Sequence, residues 1–64
     1  MAKSFMELKK YEKSEEFDRN EAIYVLYTVD QLPMVELAQN FDLAIEDIQT
    51  ILIKHKEYEE RVLA

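Results

Sequence analysis

The chain has no cysteine, no glycine and a single proline, Pro33. Without cysteine there is no disulfide framework and no thiol chemistry, a usage that fits a reducing compartment. Without glycine the phosphate-cradling loops of nucleotide-binding proteins are excluded. So are most tight hairpins, which draw on Asn-Gly or Asp-Gly pairs. Long hydrophobic runs are missing too. The longest, Ala22 to Tyr27, falls far short of the ~20 residues that cross a bilayer. No apolar signal region follows Lys3. These absences predict a cytoplasmic protein with no membrane contact.

Catalytic chemistry has little to draw on. The one histidine, His55, stands between Lys54 and Lys56 and reads as a surface residue. No Cys or His pair offers zinc spacing. Glu46-Asp47 and Glu59-Glu60 are adjacent in sequence, so neither pair faces itself across a helix. Ser4 and Ser14 have no base nearby in sequence. The expectation is a non-enzyme without metal or cofactor.

What is present favours helix. Glu, Lys, Leu, Ala, Met and Gln are abundant, and 48% of residues are hydrophobic, too many for a disordered tail. The 64 residues, 1–64, read as one all-α domain, a three- to four-helix bundle. A chain this short buries only about 60% of its unfolded surface, so the core is small.

Three start signals divide it. Ser4-Phe5-Met6-Glu7 is a capping box, opening a helix over about residues 5–15 with Phe5, Leu8 and Tyr11 as its apolar stripe. Asp18-Arg19-Asn20-Glu21 has similar spacing, with Phe17 placed to staple onto Ala22. It opens a central helix over about residues 19–31, apolar nearly all round, which must be buried or meet another chain. Pro33 suits the first residue of a helix. Beyond it, Met34, Leu37, Ala38 and Phe41 form one stripe, and Ile45, Ile48, Ile51, Leu52, Tyr58 and Val62 form another. The two helices span about residues 33–56, with a helical extension after them.

Two helices crossing at a tight turn need fixed residue types at fixed offsets. The first must show an apolar and then a very small residue, which Leu37-Ala38 supplies. Phe41 closes the corner. Asp42 takes the turn position, where a left-handed backbone tolerates few side chains besides glycine. Leu43 points back inside, and Ile48 and Ile51 follow at the required spacing.

Here residues 20–55 resemble the helix-turn-helix of bacterial sigma-factor promoter-recognition domains and related small regulators. The likeness runs through Ala22-Ile23, Leu26, Leu32, Val35-Glu36-Leu37-Ala38, Phe41-Asp42-Leu43 and Ile48-Gln49-Thr50-Ile51-Leu52. It implies that residues 44–55 form the helix that enters a major groove. The chain departs from the family where contacts to DNA would sit. Gln31 replaces the usual glycine, Ala44 the usual Ser or Thr cap, and the outward positions Ala44, Ile45, Glu46, Asp47, Gln49, Thr50 and Ile53 carry no Arg or Lys.

Charge points the same way. The net charge is −6, with a pI near 4.6, the reverse of most nucleic-acid binders. Between Phe17 and Ile53 only Arg19 is basic, against seven acids: Asp18, Glu21, Asp30, Glu36, Asp42, Glu46 and Asp47. Phosphate affinity comes almost wholly from Lys and Arg. The remaining cations at the two ends are matched by acids and read as solvated, salt-bridged helices.

Three readings follow. In the first, a small phage-like transcription or mobile-element regulator binds a protein partner through an acidic and apolar surface, Ile45, Glu46, Gln49, Thr50, Ile53, Tyr24 and Tyr27. The partner would be a DNA-binding protein, a polymerase subunit or a recombinase, and mimicry of DNA by the acids is a sharper form of this reading. In the second, a homodimer binds a specific DNA sequence through Gln49, Thr50, Ile53, Lys54 and Lys56. In the third, the chain is a structural part of a larger assembly. If Ile45 and Ile53 face outward, either the N-terminal helix covers them or a partner does.

Overall fold

The computed structural model describes residues 5–63, and all their regular structure is helical. Four α-helices follow one another: α1 (Phe5–Glu12), α2 (Phe17–Thr28), α3 (Met34–Phe41) and α4 (Ile45–Tyr58). A π-helical turn, Glu59–Leu63, continues α4. No described helix is long and apolar enough to cross a membrane.

The helix ends differ from the sequence expectation for local reasons. α1 stops at Glu12 instead of near residue 15. The Lys13 and Ser14 amides turn back to the carbonyls of Lys10 and Tyr11 (3.0 and 2.9 Å), and the Ser14 hydroxyl donates to the same Tyr11 carbonyl. Ser4, the cap expected for α1, lies outside the described residues. α2 begins at Phe17, flanked by Glu16, which makes no side-chain cap. Asp18 therefore sits inside the first turn, where its carboxylate complements the helix dipole rather than capping it. Phe17 packs against the rings of Tyr11, His55 and Tyr58, while Ala22, its expected staple partner, is exposed.

α2 ends at Thr28, three residues before the expected boundary. The Thr28 hydroxyl donates back to the Tyr24 carbonyl at 2.8 Å, a bond that competes with the helix ladder. Gln31 is then left-handed (φ 59°), and the Leu32 amide reaches the Leu26 carbonyl at 3.0 Å. Pro33 flanks α3 instead of being its first residue. It is extended (φ −69°, ψ 154°), and its carbonyl takes the amides of Glu36 and Leu37. Asp42 ends α3 in the left-handed region (φ 57°, ψ 48°), and the Leu43 amide closes onto the Ala38 carbonyl at 2.9 Å. α4 starts after Ala44, which offers no side chain to cap it.

The main core is Ile23 of α2, Leu37 and Ala38 of α3, and Ile48, Ile51 and Leu52 of α4. Tyr24, Leu26, Leu32, Met34, Phe41 and Leu43 pack around it, half-buried. A second cluster forms at the far end of α4, where Leu8 and Tyr11 of α1 meet Tyr58, with Phe17 and Val62 beside them. α1 thus packs on the C-terminal end of the chain. It does not cover Ile45 or Ile53, which remain 42% and 71% exposed.

Candidate functional site

α4 has two faces. Ile48, Ile51, Leu52, His55 and Tyr58 recur at three- and four-residue steps and are all buried. The opposite stripe, Glu46, Gln49, Thr50, Ile53 and Lys56, is exposed. Along one side of that stripe runs an open groove of about 510 Å³ between α2 and α4. Tyr24 and Tyr27 line it from α2, Gln49, Leu52, Ile53 and Lys56 from α4, and Met34 from α3. Most of this lining is apolar or aromatic.

Several residues singled out from sequence therefore share one site. Tyr24, Gln49, Ile53 and Lys56 line the groove. Thr50 and Lys54 stand on the other flank of Ile53, bordering a smaller hollow of about 370 Å³ with Glu57. Ile45 and Glu46 are exposed in the first turn of α4 and line neither hollow.

The polar groups of this face are partly committed. The Thr50 hydroxyl donates to the Glu46 carbonyl at 3.1 Å. The Lys54 ammonium lies 4.6 Å from the Tyr11 ring centre, in cation–π range, and its side chain is half-buried there. Glu46 and Asp47 occupy the first turn of α4, where their charge favours a helix start that lacks a capping side chain.

His55 overturns its sequence reading. The Lys54-His55-Lys56 run reads as surface, yet His55 is 0% exposed. It takes the inward position four residues after Ile51 and three before Tyr58, so the helical period outweighs the charge of its neighbours. Phe17, Tyr24, Tyr11 and Tyr58 surround the imidazole with ring centres 5.2–5.8 Å away. Its Nδ1 is 2.8 Å from the Tyr11 hydroxyl. Burial pushes the imidazole below its ordinary value, against the opposing pull of Glu59 and Glu21, so the ring is held neutral.

A polar chain backs this ring. The Tyr11 hydroxyl is pushed up by burial, and a hydrogen bond from buried Asn20 partly offsets that rise. Arg19 in turn donates two hydrogen bonds to Asn20 Oδ1, at 3.0 and 2.9 Å. On the other side Tyr58 donates its hydroxyl to Glu12 Oε2, joining α4 to α1. Nothing in the spacing of Tyr11, Asn20, His55 and Tyr58 announces this cluster. Only the buried stripe of α4 carries a hint, since position 55 falls on it.

Comparison of the chain with family models, with curated proteins and with solved structures yields no match.

Proposed function

We propose that this chain is a small regulator on a helix-turn-helix scaffold, acting by binding a protein partner through the outer face of α4 and the groove beside it. The scaffold reading is supported by the α3–α4 pair. Leu37, Ala38, Ile48 and Ile51 are buried, Phe41 and Leu43 pack half-buried at the corner, and Asp42 is left-handed. These features, with the sequence resemblance, favour a sigma-factor-like helix-turn-helix whose second helix is α4.

The observation that carries the partner reading is Ile53. It is 71% exposed at the rim of an apolar groove, on a helix whose first turn bears Glu46 and Asp47. Interfaces concentrate their binding energy in large apolar or aromatic side chains seated in such concavities, ringed by polar groups. The matching partner offers an apolar side chain for the Tyr24–Ile53 groove and basic residues opposite the two acids. A DNA-binding protein, a polymerase subunit or a recombinase has that chemistry. DNA fits the face less well. A phosphate would meet Glu46 and Asp47, and Lys54 is already engaged by the Tyr11 ring.

The test is site-directed photo-crosslinking from position 49 in the producing cells, with adducts identified by mass spectrometry. One dominant protein adduct, lost in Ile53→Asp but kept in Glu36→Gln, supports the reading. Adducts to DNA alone, or adducts insensitive to Ile53→Asp, overturn it. Adducts to a second copy of the chain move the reading to a homodimer.

A further inference from the structure

We propose that Glu21, His55 and Glu59 form a binding site for one divalent transition-metal ion of the zinc class. Glu21 comes from α2, His55 from the last turn of α4, and Glu59 from the π-helical turn. One ligand atom of each lies within 4.8 Å of the others. The second observation is the histidine itself. Its Nε2 is buried and has no hydrogen-bond partner. Glu59 Oε2 stands 3.6 Å from it, beyond hydrogen-bond length. An imidazole nitrogen buried without a partner forfeits a hydrogen bond it had in water. Here it faces two carboxylates.

The rest of the cluster suits a ligand histidine. Metal-bound histidines are held by a partner on the other ring nitrogen, which fixes the tautomer and the ring plane. Tyr11 is that partner, 2.8 Å from Nδ1. Its hydroxyl oxygen can accept from Nδ1–H, which leaves the Nε2 lone pair pointing at Glu21 and Glu59. Tyr11 is itself steadied by Asn20, and Asn20 by Arg19. The aromatic rings around His55 exclude water from one side of the site.

The donor set selects the ion. One imidazole nitrogen and two carboxylate oxygens suit zinc and its neighbours, whereas magnesium and calcium take oxygen throughout. Donors in a tetrahedral zinc site lie roughly 3.3 Å apart, as follows from metal–ligand distances of ~2.0–2.1 Å. The His55–Glu59 separation of 3.6 Å is already close to that. Rotation of the glutamate side chains closes the remainder. Two carboxylates offset the charge of the ion, and a fourth position stays open to water. Binding would tie the C-terminal turn to α2.

Calorimetric titration of the chelator-treated protein with zinc chloride tests this, with calcium chloride as comparison. An acidic chain binds cations loosely anywhere, so the control is a Glu46→Gln, Asp47→Asn double variant. The expected result is one equivalent bound, unchanged in the control. Affinity should fall about tenfold to hundredfold in Tyr11→Phe and further in Glu21→Gln and Glu59→Gln. The His55 ring resonances of the unmutated protein should move with the same one-to-one stoichiometry, a readout independent of any variant's folding. Several weak equivalents affected equally by every variant, calcium bound as tightly as zinc, or unmoved His55 resonances would overturn the proposal.

Discussion

Tyr58 keeps its phenolic proton deep into the alkaline range, because it is buried and because it donates to the Glu12 carboxylate. Its pKa is pushed up to about 12 from the usual 10.0. The same bond, with help from Lys9, holds Glu12 below its ordinary 4.5. The pair therefore supports folding within a window. A raised phenol contributes fully below pH 10.0 and loses its contribution as pH climbs through about 12. A depressed carboxylate contributes above pH 4.5 and loses that as pH falls. Ultraviolet titration should resolve a phenol ionising near pH 12 that disappears in Tyr58→Phe and shifts downward in Glu12→Gln. A titration unchanged by Tyr58→Phe would contradict the assignment. Residue-level features of this kind were the least legible in the sequence. Glu12 and Tyr58 are 46 positions apart, and no spacing rule joins them. His55 reads as surface from sequence because its neighbours there are lysines, while its neighbours in space are aromatic rings.

At the level of elements much more was legible, because burial imposes a period. The stripe from Ile48 to Tyr58 and the Leu37-Ala38 pair could be read from spacing, and both fall in the core. Helix ends are less legible, since they turn on single hydrogen bonds such as those of Ser14 and Thr28. Gln31 is the informative case. The family resembled here usually has glycine at that position, and the backbone is left-handed at Gln31 (φ 59°). A side chain there costs roughly 1–2 kcal/mol, partly offset because glycine loses about 0.5–1 kcal/mol more chain entropy on folding. Gln31→Gly should stabilise the fold by about 0.5–1 kcal/mol, raising the melting temperature by several degrees. An unchanged or lower melting point would show that the Gln31 side chain makes a compensating contact.

The two faces of α4 predict opposite responses. Ile48→Ala removes a fully buried side chain, a change that typically costs about 2–5 kcal/mol. A single core in a chain this size supplies only about 3–5 kcal/mol, so this variant should be largely unfolded by circular dichroism. Ile53→Asp, on the exposed face, should leave stability within about 0.5 kcal/mol. A folded Ile48→Ala protein, or an unfolded Ile53→Asp one, would reverse the assignment of the faces.

For the molecule as a whole, the distribution of charge weighs against phosphate as a partner. The net charge of −6 lies wholly in the half containing α2, α3 and most of α4, because acids and bases balance at both ends. Where ends pair, as in Lys9–Glu12 and Glu57–Arg61, the cations are already answered within the chain. Such exposed pairs add little stability, but they reduce the charge left over for phosphates. The sequence made this balance fully legible, since charge needs no folding to count. It could not show that α1 would pack beside Tyr58 and leave Ile53 bare. That depends on Leu8 and Tyr11 finding the second cluster, a long-range choice. The proposed protein-binding role rests on this acidic body and on the apolar groove that α1 leaves open. The direct test is retention of mixed genomic DNA fragments by the immobilised protein at about 50 mM salt, where electrostatic affinity is exaggerated. The expected result is no retention above that of an inert acidic protein. Retained fragments sharing a common sequence would contradict it and make α4 a DNA-reading helix.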